Sequence, residues 1–129
     1  MNNIQQEEPI LEYKEHKGTS LVTLFNEKDH YIMANDNIWI FPFRSRFIDT
    51  GLQLWIPNGS IGLITRNRFG KDKIHFEPLV LDDDGSYRVC ILVKNCSLLP
   101  VKIKTEDILA KLTIIKKIEY HAVNIGEQS

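Results

Sequence analysis

Cysteine is scarce in this chain of 129 residues, which contains only Cys90 and Cys96. Their six-residue spacing, with no histidine nearby, matches no zinc-binding pattern. A small apolar side chain within or beside an apolar stretch is typical of a buried free thiol. We therefore predict two buried free thiols rather than a disulfide or metal pair, and a reducing environment.

Net charge and long apolar runs are lacking as well. Sixteen Lys and Arg against 17 Asp and Glu give a formal charge of −1, so no global basic field favours nucleic acid as a main partner. No window approaches the length of a membrane-spanning helix, and residues 1–18 lack the positive start and apolar centre of a signal peptide. The sequence predicts an intracellular protein that binds neither nucleic acid nor membrane.

Short runs of β-branched and aromatic residues, separated by turn residues, are abundant from residue 19 onward. Such runs are typical of strands, and an apolar content of 43% is that of a folded globular protein. The length suits one domain. We predict an all-β fold, with residues 1–18 as a flexible arm or edge strand, 19–120 as a β-barrel and 121–129 as a short tail.

Local patterns refine this prediction. Asn58-Gly59 and Asp84-Gly85 supply the left-handed positions of tight turns, and both are expected to close hairpins. Residues 86–95 are apolar on both faces, which favours a strand buried in a barrel or sandwich. Residues 105–117 begin with Thr105 in a position suited to a helix N-cap, but their β-branched second half favours a turn followed by a strand.

Aromatic and histidine side chains are the remaining candidates for binding. We expect core packing or a subunit interface for five aromatic residues, with a base-stacking platform as the alternative. These are Trp39, Phe41, Phe43, Phe47 and Trp55. The histidines are not spaced as metal ligands, and surface or strand positions are expected for all four. They are His16, His30, His75 and His121.

The chain resembles the dUTPase superfamily in three segments, IDTGLQLWIPNGSIGLITR, EPLVLDDDGSYRVCILVKN and VKIKTEDILAKLTI. Their order, spacing and strand character match over residues 36–118. The resemblance implies a distorted jelly-roll β-barrel that assembles as a homotrimer, with active sites at subunit boundaries. In that superfamily water attacks the α-phosphate of dUTP to give dUMP and pyrophosphate, with magnesium on the phosphates.

The catalytic hairpin of the superfamily is only partly matched. Asp82 stands where the superfamily has the aspartate that activates water, but Gly85 stands where a tyrosine packs under the deoxyribose. Tyr87 comes two residues late, which corresponds to a shift of about 6–7 Å along a strand. Three aspartates before a glycine are also what an exposed turn favours, and both interpretations of Asp82 stay open.

The phosphate-binding motif is also altered. The superfamily has proline, arginine, serine and glycine where this chain has Thr65, Arg66, Asn67 and Arg68. Arg66 is suited to pair with phosphate, and Asn67 takes the place of the serine. Arg68 replaces the glycine that allows close backbone approach. The resemblance assigns Arg66, Asn67 and Tyr87 to substrate binding only if the protein is active.

In the other motifs, the residues that a turn and a packed strand require are kept, and the polar residues that serve the active site are replaced. Tyr31 occupies the position of the aspartate that orients the magnesium-bound phosphates, and Asp29 lies two residues early. In the last motif, Ile108 stands where the superfamily has an arginine, and Lys111 stands where it has a glutamine. The glycine-rich arm that closes over the triphosphate is reduced to a segment with Gly126 alone.

We hypothesise a viral, dUTPase-derived protein that keeps the barrel, has no cofactor or metal, and serves as a protein-interaction or regulatory module. Its unknown protein partner would meet the former pocket, loop 66–68 or the aromatics of Phe41–Phe47, in the host cytoplasm or nucleus. The alternative is an active dUTPase that uses magnesium and Asp82. A deaminase-type nucleotide binder is a third interpretation, but no catalytic glutamate lies in a matching motif.

Overall fold

A computed structural model describes residues 9–23, 29–66 and 73–127. Within these ranges the chain forms strands and one 3-10 turn but no α-helix, which confirms the all-β prediction. None of the described segments is a helix long and apolar enough to cross a membrane. The strands are β1 (Glu12–Glu15), β2 (Leu21–Thr23), β3 (His30–Met33), β4 (Ile38–Ile40), β5 (Ser45–Trp55), β6 (Ser60–Arg66), β7 (Ile74–Phe76), β8 (Leu79–Leu81), β9 (Ser86–Asn95), β10 (Val101–Ile103) and β11 (Ile108–Lys116).

Two antiparallel sheets enclose the core. Sheet I has the strand order β1-β5-β9-β7, sheet II has the order β2-β3-β11-β6-β8, and β4 pairs with β10 as a separate ribbon. Alternate residues of each long strand point inward, so the apolar side chains of the two sheets meet. Fully buried members include Ile48, Leu54 and Ile91 from sheet I and Ile32, Ile64 and Leu112 from sheet II.

The two glycine turns connect different sheets. Asn58-Gly59 joins β5 of sheet I to β6 of sheet II, and Asp84-Gly85 joins β8 of sheet II to β9 of sheet I. Gly59 and Gly85 have φ angles of 79° and 151°, so the predicted turns are present, but the hairpin prediction is wrong. A turn dipeptide reverses the chain locally, whereas the pairing partner of a strand depends on which of its faces must be buried.

Strand β9 is buried on one face only. Val89, Ile91 and Val93 are buried, while Cys90 on the other face is exposed. Cys90 lies opposite Asp49 on the outer face of sheet I, and Cys96 is exposed in the loop after β9. Both cysteines are free, but the predictions of buried thiols and of a doubly buried strand are wrong, because this face of the sheet points away from the core.

The segment of residues 105–117 forms a turn followed by β11, as its β-branched pattern predicts.

The aromatic residues differ from expectation. All five are exposed, by 37% for Trp55 up to 72% for Phe47. The core-packing interpretation is therefore wrong, since the inward positions of these strands are filled by isoleucine and leucine; a role at an interface stays a prediction.

Candidate functional site

The three aspartates between β8 and β9 lie in a corner where each carboxylate has a partner. Lys117 Nζ donates to Asp82 Oδ1 at 2.6 Å and to Asp83 Oδ1 at 3.1 Å. The backbone N–H of Gly59 donates to Asp83 Oδ2 at 2.7 Å. The hydroxyl of Tyr87 donates to Asp84. We call these residues the aspartate corner; it is exposed to solvent.

Strand pairing places Lys117 in this corner. β11 pairs with β6 over seven residues, ending at Lys116 opposite Ser60. One residue later the backbone N–H of Lys117 donates to the carbonyl of Gly59 at 2.8 Å. Gly59 therefore binds both the backbone of Lys117 and the carboxylate of Asp83, which aligns the end of β11 with the aspartate turn.

The ion pair changes what Asp82 can do chemically. A general base must offer a carboxylate oxygen to the water that it activates. One of the two carboxylate oxygens of Asp82, Oδ1, accepts hydrogen bonds from the Lys117 ammonium and from the backbone N–H of Asp83, the latter at 2.8 Å. Hydrogen bonds from Lys117 to Asp82 and Asp83 raise the pKa of Lys117, which keeps its ammonium charged.

Tyr87 folds back onto the aspartate turn. Its hydroxyl accepts a hydrogen bond from the backbone N–H of Asp82 at 3.3 Å and donates to Asp84. The bond to Asp84 raises the pKa of the Tyr87 phenol. The structure thus brings Tyr87 and Asp82 together, but through the backbone of Asp82 and not its carboxylate.

Arg66 lies at the other end of the same sheet. It is the last residue of β6 and pairs with Ala110, whereas Gly62 pairs with Leu81, the residue before Asp82. Four residues of strand, about 13 Å, separate Arg66 from Gly62, and Asp82 lies one residue further away. One chain therefore does not unite Arg66 with Asp82. Asn67 and Arg68 lie outside the described residues.

Asp29, two residues before the position of the superfamily's magnesium-orienting aspartate, forms an ion pair with Lys111. Lys111 Nζ lies 3.3 Å from Asp29 Oδ1, and Lys111 is directly opposite Tyr31 across β11 and β3. A cation beside Asp29 is the wrong environment for a second, divalent cation. In the described part of the chain, no group of three His, Cys, Asp or Glu is arranged to hold a metal ion. These side chains do not fit the magnesium role that the resemblance implies.

Sequence reasoning missed both lysines. Lys117 and Lys111 are remote in sequence from Asp82 and Asp29, and only the register of β11 with its neighbours brings each pair together. The one available signal was that Lys111 replaces a glutamine of the superfamily motif. For Lys117 no local signal exists, because a lysine near a strand end is also typical of a solvated surface.

We predict that the aspartate corner contributes to the loss of folding stability in acid. Hydrogen bonds lower the pKa of Asp83 to about 2; the bond from the Gly59 N–H has the largest effect, and those to Lys117 and Asp82 have smaller ones. Because the folded-state pKa is depressed, this contribution is complete above the unfolded-state pKa, near 4, and is lost as pH falls toward 2. We expect Asp83→Asn to show a smaller decrease in unfolding temperature than wild type between about pH 4 and pH 2.

Calorimetry across this pH range measures the effect. Asp36→Asn removes an exposed carboxylate outside the corner and should follow the wild-type curve. Equal acid sensitivity in wild type and Asp83→Asn would contradict the assignment.

The two sheets and the β4–β10 ribbon together have the fold of solved phage dUTPases. The dUTPase of Staphylococcus bacteriophage 80alpha superposes with a TM-score of 0.77 at 16% identity, covering 93% of this chain and 98% of that one. The D95N mutant of the dUTPase from phage phi11 of S. aureus, in which a structural Mg(II) ion is coordinated, gives 0.74 at 17%, covering 92% and 97%. The 80alpha enzyme with dUPNHPP gives 0.76 at 16%, covering 92% and 89%.

These similarities confirm the predicted dUTPase-like fold and the resemblance to phage, hence viral, dUTPases. No protein-family model and no curated protein matches the sequence. At 16–17% identity the superposition establishes the fold alone. The activity must be argued from the side chains of this chain.

Proposed function

We propose that this chain is a dUTPase-derived barrel that does not hydrolyse dUTP and acts as a protein-interaction or regulatory module. The observation that carries the proposal is the 2.6 Å contact between Lys117 Nζ and Asp82 Oδ1. The only carboxylate at the position of the superfamily's base is thereby paired with a cation held by its own backbone. Loss of a general base alone typically costs about 10²–10⁴ in rate.

Two further features support the absence of hydrolysis. The Asp29 carboxylate is paired with Lys111 at 3.3 Å, so it is not set up to orient a magnesium-bound phosphate. Tyr87 is bonded to the aspartate turn, so its ring is not free to pack under a deoxyribose as the superfamily's tyrosine does. Three independent requirements of the reaction are therefore weakened together.

A regulatory role has a precedent among the structures with this fold. The 80alpha dUTPase is described as controlling transfer of virulence genes by a proto-oncogenic G protein-like mechanism. The same barrel thus serves control as well as catalysis in a phage protein. This supports the proposal for the present chain, whose barrel is preserved while its polar motifs have changed.

The second candidate is an active, divergent dUTPase. It is favoured by Asp82 at the matching position and by the placement of Arg66 at the far end of β6. Arg66 and Asp82, more than about 13 Å apart in one chain, would meet only if two copies each contributed one of them. That arrangement is the boundary site that the resemblance implies.

We also propose a homotrimer. Its support is the segment after β11, where four apolar side chains of a single copy are at least 72% exposed. Apolar exposure on this scale in an extended segment favours cover by another chain. The residues are Ile118, Tyr120, Val123 and Ile125.

Pyrophosphate release from dUTP with magnesium tests the proposed function. At high protein concentration, wild type, Asp82→Ala and Lys117→Ala are all expected to give no release above the protein-free reaction. The 80alpha phage dUTPase serves as the positive control. Magnesium-dependent turnover that disappears in Asp82→Ala would overturn the proposal and establish the active dUTPase.

A further inference from the structure

Four large apolar side chains surround one end of the barrel, between β4 and β5 and between β9 and β10. Phe41, Phe43, Leu98 and Leu99 are each 58–81% exposed. We call these four residues the apolar cap. They lie apart from the aspartate corner, which is at the junctions of β5 with β6 and of β8 with β9.

A buried asparagine holds the cap together. Asn95, at the end of β9, is fully buried. Its Nδ2 donates to the carbonyl of Ile40 at 2.9 Å and to that of Leu99 at 2.8 Å. Its backbone carbonyl accepts from the N–H of Phe43 at 2.8 Å. One residue therefore positions both loops that carry the cap, so the exposed side chains stand on a rigid support.

Phe43 has a backbone conformation that disfavours it. The N–H of Arg44 donates to the carbonyl of Phe41 at 3.1 Å, closing a four-residue turn with Pro42 second and Phe43 third. Phe43 has φ 59°, in the left-handed region where glycine or asparagine is normal for this turn. A bulky residue there is an outlier, and such strain concentrates at functional sites. Since Phe43 is exposed, burial in its own chain does not compensate for the strain.

The charged side chains of the segments that carry the cap have one sign. Residues 38–48 and 90–104 contain five Lys and Arg and no Asp or Glu, in a chain of formal charge −1. Lys102 Nζ lies 5.7 Å from the centre of the Trp39 ring, and Arg46 donates to the Trp39 carbonyl at 3.2 Å. Arg44 and Lys94 are exposed beside Phe43 and Asn95. The cap is thus an apolar surface among cations.

We infer that the apolar cap docks an acidic protein segment that carries apolar side chains. The inference names the kind of partner for the proposed interaction function and rests on it. A second copy of the chain presenting the same cap would bring like charges together, which disfavours self-association. Nucleic acid would use the cations and the two phenylalanine rings, but Leu98 and Leu99, the most exposed side chains of the cap, offer no flat ring for stacking. The face of Trp39 already has Lys102 near it. Carboxylates around apolar anchors match both properties of the surface.

A labelled peptide of repeated Glu-Leu-Asp-Phe, titrated with the full-length protein in fluorescence anisotropy, tests the inference. Wild type is expected to bind, with affinity falling about tenfold between low and high salt because the steering charges are screened. Peptides with Gln and Asn for the acids, or Ser for the apolar residues, should bind at least about tenfold more weakly.

Phe43→Asn separates binding from folding. It should weaken peptide binding about tenfold or more by removing an apolar anchor, yet raise the unfolding temperature, because asparagine tolerates positive φ. Leu99→Ser should also weaken binding. Ile10→Ser removes an exposed apolar side chain that precedes β1, and should leave binding unchanged.

Three outcomes would overturn the inference. The first is no binding of the peptide to wild type, or binding that Phe43→Asn and Leu99→Ser leave unchanged. The second is a thymidine oligonucleotide that binds more tightly than the peptide and depends on Phe43. The third is a lower sedimentation mass for Phe43→Asn, which would assign the cap to contacts between copies. If the peptide does not bind and dUTP is not hydrolysed, only the cap inference is wrong. If dUTP is hydrolysed in a reaction that requires Asp82, the proposed function is wrong, and the cap inference, which rests on it, fails as well.

Discussion

Replacing Asn95 by alanine is expected to lower the free energy of unfolding by about 3–4 kcal/mol. The Nδ2 group donates to the Ile40 and Leu99 carbonyls. Oδ1 accepts from the N–H of Ser97 at 2.9 Å and from its hydroxyl at 2.7 Å. Alanine removes all four bonds and leaves polar groups at a buried position without partners. Such a loss is a large part of the total stability of a small domain.

Urea unfolding followed by circular dichroism measures this change, and Ser97→Ala is the matched control. The control removes the hydroxyl contacts to Asn95 Oδ1 and to the Leu99 carbonyl but keeps the Asn95 amide and its two carbonyl partners, so a loss of about 1 kcal/mol is expected. Equal losses in the two variants would show that the Asn95 amide does not hold the loops. A large loss for Asn95→Ala alone would show that the support of the apolar cap is also part of the folding core.

Replacing Gly51 by alanine is expected to lower the free energy of unfolding by about 3 kcal/mol. Gly51 has φ 72° and lies in an irregularity of the β5–β9 pairing between Asp49 and Gln53. An added Cβ would stand 2.8 Å from Lys17 Cβ and 2.9 Å from Lys17 Cγ. The backbone of the preceding residue is tied down, because the N–H of His16 donates to the Gly51 carbonyl at 2.8 Å. Left-handed strain and a steric clash therefore add.

Gly59→Ala is the control that isolates the clash. Gly59 has a similar φ of 79°, but no atom lies within 4 Å of its added Cβ. Strain alone should cost about 1 kcal/mol. Similar losses for the two variants in urea unfolding would mean that the Lys17 side chain moves aside without a measurable loss of stability. Glycine would then be required at position 51 only for its positive φ angle.

The sequence predicted those features that depend on the backbone preferences of a few neighbouring residues. Glycine occupies positive φ at the predicted turns, Gly59 and Gly85, because it lacks a Cβ. The β-branched half of the segment after Thr105 became strand β11, as its restricted side-chain rotation favours. The position of Asp82 in a turn after a short strand was likewise apparent from three aspartates before a glycine.

Long-range pairing decided the features on which function depends. Whether Asp82 has a free carboxylate depends on the register that brings Lys117 to it from 35 residues away. Whether Phe41 and Phe43 are core or surface depends on which strand faces the barrel fills with isoleucine and leucine. Alternation along a strand shows that two faces exist but not which neighbour covers each one.

The sequence by itself determined the strands, the turns and the resemblance to dUTPases, because those follow from backbone preferences and residue order. Only the tertiary structure decided that the glycine turns join two sheets, that Lys117 pairs with Asp82 and Asp83, and that Asn95 supports an exposed apolar cap. Contacts between residues remote in the chain are selected by burial and pairing of the whole fold, and no short segment carries that information.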